Sequence, residues 1–194
     1  VVAPEHRIRV TGDVIETPRL LLRPWELADA EAALAIYGAA DVTRWLAPAM
    51  DLVSGVESMR TVLENWIAEC RSVEHPQGRW AVLRRDTDEL VGDAALLPLP
   101  PRSEDLEIAW QLSPAAWGSG YGAEAGHAVA HQAFQSGLDI EELFAVVRPA
   151  NARGIATARR VGMEWVGETE KYYDLRLQVY RLRKADLDDD GPLA

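Results

Sequence analysis

Residues 117–125 read WGSGYGAEA, and the glycines at 118, 120 and 122 have the spacing of a loop that wraps a phosphate. Glycine carries no Cβ, so its amide can approach an anion closely and its φ can be positive without strain. A helix starting near Tyr121 would add unpaired amides and the positive end of its dipole. Trp117, Gly118, Ser119, Gly120, Tyr121 and Gly122 are therefore the candidate anion-binding segment. A nucleoside-triphosphate loop needs Lys and then Ser or Thr after its last glycine, where this chain has Ala123 and Glu124. A dinucleotide fingerprint is matched by Gly118, Gly120 and Ala123, with Asp139 downstream. That fingerprint follows its strand directly and opens a βαβ unit, whereas here residues 113–116 intervene and most of the chain comes first. A glycine-rich turn with no ligand is the plain alternative.

Two other constellations are weaker. His127 and His131 stand at i, i+4, a spacing that can hold a metal on one helix face, but Ala128 occupies the place of a zincin's catalytic Glu and no third ligand is evident. They read as surface histidines, and no metal is expected. The single cysteine, Cys70, excludes an internal disulfide framework, and it shares a helical stripe with Met59, Leu63 and Trp66, which reads as core.

The elements that must position the loop follow from periodicity. Residues 17–25, TPRLLLRPW, form a short apolar run that reads as a first strand. Ala30, Ala33, Leu34 and Tyr37 recur at helical spacing, and a second amphipathic helix covers residues 56–70. Residues 78–85 and 89–97 flank the polar turn Asp86-Thr87-Asp88 as a hairpin, and a proline-rich loop, PLPPRSED, follows. Leu106, Ile108, Trp110 and Leu112 alternate with Glu107, Ala109 and Gln111, a half-buried strand just before the glycine loop. A helix over 121–136, a strand over 142–148, a helix capped by Asn151 and ended by Gly162, and strands over 163–168 and 174–182 complete the order β-α-α-β-β-β-α-β-α-β-β. This is mixed α/β (α+β) rather than doubly wound parallel.

With 194 residues, 48% of them hydrophobic, the chain can bury one core, and a single domain over residues 1–185 is expected. Residues 186–194, rich in Asp, are expected to fray. A net charge of −11 argues against nucleic acid and anionic membrane as partners and favours a cationic one. No run of about 18 apolar residues exists to span a bilayer. The segment VVAPEHRIRV lacks the apolar core of a secretory signal, so cytoplasmic residence is the expectation.

The joint order of TPRLLLRPW, the E-x-x-W-x-L-x-P of residues 107–114, WGSGYGAEA, RPANARGIATARRVGM and YYDLRLQVYRL resembles the GNAT superfamily of acyl-CoA N-acyltransferases, most of all its ribosomal-protein N-terminal acetyltransferase branch. The resemblance covers residues 17–182. It implies a central, mostly antiparallel sheet of about seven strands flanked by about four helices, and acetyl-CoA as cosubstrate. It implies that Gln111, Leu112 and Ser113 meet the pantetheine arm, that residues 117–122 hold the pyrophosphate, and that Asn151 sits near the sulfur end. Trp117 stands where the superfamily pattern begins with Gln or Arg. Gly154 stands where the branch often has Ser.

Attack of an amine on a thioester needs a neutral nitrogen, so a base or ordered water must take a proton, and the departing thiolate must gain one. Glu107 is the candidate base, because some relatives use a glutamate on this strand. Its other reading is a solvated strand residue. Tyr172 and Tyr173, between the last two strands, are the candidate acids or acceptor contacts, packing being the alternative job. The implied activity is transfer of an acetyl group to a primary amine by direct attack in a ternary complex. Another acyl-CoA such as succinyl-CoA, or a CoA-binding regulatory domain without turnover, are the alternatives. The first two helices would wall the acceptor, with Asp41, Glu57 and Glu64 as cation contacts, and a homodimer is the candidate assembly.

Overall fold

The computed structural model describes residues 8–100, 103–188 and 191. Nine strands form one sheet: β1 (Arg9–Thr11), β2 (Val14–Glu16), β3 (Leu20–Pro24), β4 (Gly78–Arg84), β5 (Leu90–Pro98), β6 (Leu106–Leu112), β7 (Glu142–Val147), β8 (Glu164–Thr169) and β9 (Leu177–Arg183). Their spatial order is β1-β2-β3-β4-β5-β6-β7-β9-β8, and every pairing is antiparallel except β6 with β7. Five helices accompany them: α1 (Ala30–Tyr37), α2 (Ala40–Thr43), α3 (Val56–Ser72), α4 (Tyr121–Phe134) and α5 (Ala152–Val161). The expected class holds, with nine strands in place of about seven. The two additional strands, β1 and β2, are three residues each, too short for alternation to register against the neighbouring run. The four-residue α2 is too short for a helical period.

The pleat divides the sheet's side chains between two cores. Leu20, Leu22, Trp80, Val82, Ala94, Leu96 and Ile108 pack with the alanine-rich face of α4 and with Ala158 and Val161 of α5. On the opposite face Ala81 and Leu83 pack with Trp25, Ala33, Ile36, Met59 and Leu63 beneath α1 and α3. Met59 and Leu63 are buried and Cys70 is half-buried, with burial raising its thiol pKa.

Of the histidine pair expected on the surface, His127 is buried and His131 half-buried. His127 is 1% exposed, and its Nε2 lies 2.5 Å from the Asp188 carbonyl. The reason lies beyond the last strand, where the chain folds back over α4 in a short 3-10 turn, Lys184–Asp186, and Leu187 packs against the main core. Asp189, Asp190 and residues 192–194 of the acidic tail lie outside the described residues, as do Pro101 and Arg102 of the proline-rich loop and residues 1–7. Among the described residues, no helix is long and apolar enough to cross a membrane.

Candidate active site

β6 and β7 share one register pair, Glu107 with Phe144, and diverge beyond it. Parallel strands that separate leave backbone donors and acceptors facing the gap. Ile108 to Leu112 on one side and Ala145 to Arg148 on the other line a cavity of about 1400 Å³. The lining also includes Trp117, Gly118, Gly120 and Gly122 of the glycine loop, and Tyr37, Trp45, Met50, Trp66 and Arg79.

The glycine end is made of backbone. Gly118 and Gly120 have φ of +82° and +79°, and Gly120 is the residue before the first turn of α4. At Gly122 a Cβ would come within 3.2 Å of Thr157 Cγ2, so the first turn of α4 lies against α5. The loop is braced from a distant segment. The carboxylate of Glu124 accepts from the Thr17 hydroxyl at 2.6 Å, the Arg19 amide at 3.0 Å and Arg19 Nε at 2.6 Å. Arg19 Nη1 donates to the Ser119 carbonyl at 2.9 Å, and its guanidinium lies 4.8 Å over the Tyr121 ring. These contacts tie Thr17 and Arg19 of TPRL to Ser119, Tyr121 and Glu124 of WGSGYGAEA.

Gln111 and Leu112 line the cavity; the Tyr37 hydroxyl reaches Gln111 Oε1 at 3.5 Å, and the Leu112 carbonyl accepts from Trp117 Nε1 at 3.2 Å. Ser113 is buried outside the lining, its N–H donating to the Val91 carbonyl and its carbonyl accepting from the Ala116 N–H, both at 2.9 Å. Asn151 lines the cavity and caps α5, Oδ1 accepting from the Gly154 N–H at 3.0 Å. A Cβ at Gly154 would meet Asn151 Nδ2 at 2.8 Å and Val147 Cγ1 at 2.9 Å, so this backbone has no room for a serine there.

Glu107 and Tyr173 meet in the cavity, where the tyrosine hydroxyl donates to Glu107 Oε2 at 2.7 Å. Burial pushes the Glu107 carboxyl from 4.5 up to about 7, against the Tyr173 hydrogen bond and the Arg79 charge, which favour the ionised form. Burial and then the neighbouring Glu107 raise the Tyr173 hydroxyl well above the ordinary tyrosine range, so it keeps its proton. Tyr173 and Asp174 have φ of +58° and +53°, a left-handed turn of two non-glycine residues that costs about 1 kcal/mol or more at each. Tyr172, its sequence neighbour, is 7% exposed in a small cluster with Leu99 and Leu177. Its hydroxyl lies 3.3 Å from Asp105 Oδ2, away from the cavity lining.

A second polar group backs the cavity, with Arg79, Tyr37 and Trp66 in the lining and Asp93 behind it. Asp93 is fully buried and accepts from Trp25 Nε1 at 2.8 Å, with Arg79 Nη1 3.5 Å from its other oxygen. Arg79 lies 4.5 Å over the Trp66 ring and 3.8 Å from Glu69. Tyr37 stands edge-on to Trp66 at 5.1 Å. Sequence reasoning missed this group. Asp93, the one acid in the apolar run LVGDAALL, was the available signal. Of the three proposed cation contacts, Asp41 lines the cavity, while Glu57 and Glu64 lie outside the lining, Glu57 beside Arg60. Among the described residues, no cluster of His, Cys, Asp or Glu is arranged to hold a metal ion.

Comparison with known proteins agrees with this geometry. The acetyltransferase (GNAT) domain matches residues 19–164. The uncharacterized N-acetyltransferase YoaA of Bacillus subtilis (strain 168) is 28% identical over 162 residues, 82% of this chain and 87% of that protein. An acetyltransferase from Agrobacterium tumefaciens C58 superposes with a TM-score of 0.72 at 25% identity, over 93% of this chain and 99% of its own. The ribosomal L7/L12 α-N-protein acetyltransferase RimL, solved in complex with coenzyme A, superposes with a TM-score of 0.70 at 17% identity, over 86% and 95% of the two chains. The glycine loop, the parted strands and a domain match over most of the chain make this protein a member of the GNAT acetyltransferase family.

Proposed function

We propose that this chain transfers the acetyl group of acetyl-CoA to a primary amine, an α-amine of a peptide or protein or a small amine, by direct attack while both substrates are bound. The observation that carries the reading is Glu107, a carboxyl with a pKa of about 7 under a tyrosine hydroxyl, in the cavity that the glycine loop also lines. Acetyl-CoA supplies the activated thioester. Two glycines of positive φ, the open first turn of α4 and the parted edges of β6 and β7 suit its pyrophosphate and pantetheine arm. Trp117 to Gly122 would hold the phosphates, Gln111 and Leu112 the arm, with Ser113 fixing the strand end, and Asn151 the sulfur end.

Glu107 takes the amine proton, directly or through water, because its pKa leaves about half of it ionised at neutral pH while keeping it basic. Tyr173 keeps its proton in the same cavity, so it is the proposed group that orders the acceptor, or that passes its proton to the departing sulfur as Glu107 returns the amine proton to the tyrosine oxygen. Tyr172 would support that turn from the packing side. The acidic balance of the chain favours amines that arrive as cations, and cytoplasmic residence fits a substrate made there.

The test is thiol release measured while acyl-CoAs are screened against small amines and peptide N-termini. Acetyl-CoA with at least one amine class should release CoA, and Glu107→Gln should suppress the release. Faster release from succinyl-CoA would change the acyl group. Tight CoA binding without release from any pair would make the chain a CoA-binding regulatory domain.

A further inference from the structure

Most arginines of this acidic protein are committed to carboxylates: Arg19, Arg23, Arg79, Arg84, Arg176, Arg181 and Arg183 all stand in ion pairs. α5 departs from that rule. Its sequence, ARGIATARRV, contains no acid, and among the described residues neither Arg153 nor Arg160 has an ion-pair partner. Arg153, Thr157 and Arg160 fall at i, i+4 and i+7, one face of the helix, and all three line the cavity. Thr157 is the residue that abuts Gly122, so this stripe runs alongside the glycine loop. The guanidinium of Arg153 lies 3.8 Å over the Trp117 ring, which fixes the orientation of its donor fork before any ligand arrives. Arg159, on the same helix, is exposed and outside the lining.

We infer that Arg153 and Arg160 form a phosphomonoester site that takes the 3′-phosphate of CoA. The inference rests on the acyl-CoA reading above and adds to it a second phosphate site. The loop and the first turn of α4 present backbone amides, suited to the pyrophosphate, which is a diester-like group of modest charge per phosphorus. A ribose 3′-phosphate is a monoester carrying about −1.5 to −2 at neutral pH and calls for full cations. Seven residues of helix separate the two arginine Cα atoms by about 10 Å, a distance two long side chains can close around one phosphate. In a molecule of net charge −11, two uncompensated cations on a cavity wall supply the local field that a dianion needs. The consequence is discrimination between CoA and dephospho-CoA, which differ in that phosphate alone.

Calorimetry with CoA and dephospho-CoA on the full chain tests this, comparing wild type with Arg160→Ala, Arg153→Ala and the control Arg159→Ala. Wild type should bind dephospho-CoA about tenfold more weakly or worse, the effect of losing charge-assisted hydrogen bonds. Arg160→Ala should weaken CoA and leave dephospho-CoA unchanged, so the ratio of the two dissociation constants falls towards one, and Arg159→Ala should keep the wild-type ratio. Arg153→Ala should also lower the ratio, with any equal loss on both ligands reporting its contact with Trp117. Equal affinity of wild type for the two ligands, or a ratio that survives both cavity substitutions, overturns the site while leaving the acyl-CoA reading standing. Failure of wild type to bind CoA at all removes that reading and this site together.

Discussion

The two ends of the site, the glycine loop and the polar group around Asp93, are built from different materials. The glycine end uses main chain, with Gly118 and Gly120 in positive φ, the opening turn of α4, and a Glu124 carboxylate that fastens the loop to Thr17 and Arg19. The opposite end uses side chains from four separate elements, with Asp93 of β5, Arg79 of β4, Tyr37 of α1 and Trp66 of α3 meeting around one buried carboxylate. Backbone sites tolerate change in the side chains around them and fail when a Cβ intrudes. Side-chain sites fail when any one member is removed, because the partners stay buried without compensation. The first kind of end suits a cosubstrate of fixed shape.

The largest expected effect separates the two ends by stability. Asp93→Ala leaves the Trp25 indole N–H and the Arg79 cation without their buried acceptor and should cost about 3–5 kcal/mol in urea unfolding. Asp93→Asn retains an oxygen for Trp25 and should cost less. Gly120→Val, at a φ of +79°, should instead spare most of the stability and lose CoA affinity, because a β-branched residue resists that backbone and fills phosphate space. If the Asp93 and Gly120 variants behaved alike in both measurements, the contrast between the ends would collapse.

Next comes Glu107, in the same cavity. Glu107→Gln keeps the size and removes the basicity, so turnover should fall by about 10² while acetyl-CoA affinity is retained. In wild type kcat/KM should rise with pH through about 7, as the carboxyl loses its proton, and the variant should lack that step. Stability provides a separate reading. The folded pKa lies above the ordinary value of 4.5, so the folded state holds a proton that the unfolded state releases, and this group destabilises the fold progressively as pH rises from 4.5 to about 7. Glu107→Gln should gain stability relative to wild type across that window, and a flat difference would mean the carboxyl titrates normally.

Tyr173 should give a smaller effect with a diagnostic direction. Its hydroxyl donates to the ionised form of Glu107, so Tyr173→Phe removes a contribution that lowers the carboxyl pKa, and the rise in kcat/KM should move to higher pH. Tyr172→Phe, whose hydroxyl faces Asp105 at 3.3 Å, should leave the midpoint in place. A shift in the Tyr172 variant alone would exchange the roles of the two residues.

The same contrast governs what could be read from the sequence. A backbone site is a contiguous string, so WGSGYGAEA disclosed the loop, its helix and the strand before it, and the alternation of residues 106–112 put Glu107 on the face opposite Ile108. The far end has no such string. Arg79 and Asp93 belong to separate strands, and only the antiparallel register, with Ala81 opposite Asp93, brings their neighbourhoods together. His127 was misjudged for a related reason, since the segment that buries it is the tail after β9, a contact between residues 61 positions apart. The lack of room at Gly154 likewise depends on Val147, the last residue of β7, and on the folded-back Asn151 side chain.

The smallest expected effect tests whether the brace of the glycine loop matters to binding or only to folding. Glu124 accepts three hydrogen bonds, and its partner Arg19 has a half-exposed side chain, so the ion pair itself is partly screened and worth about 0–1 kcal/mol. Glu124→Gln keeps one oxygen for Thr17 and the Arg19 amide and discards the charge. Unfolding should therefore change by less than about 1 kcal/mol. The loop should respond more than the fold, because Arg19 also donates to the Ser119 carbonyl and stacks on Tyr121, on either side of Gly120. A released Arg19 leaves Gly120 freer to sample conformations that do not present its amide. CoA affinity should fall about threefold to tenfold, and adding Arg19→Ala to Glu124→Gln should cost little more, since both act through one brace. Fully additive losses in the double variant would show that Arg19 and Glu124 support the loop independently, and that the glycine end is held by side chains more than its backbone suggests.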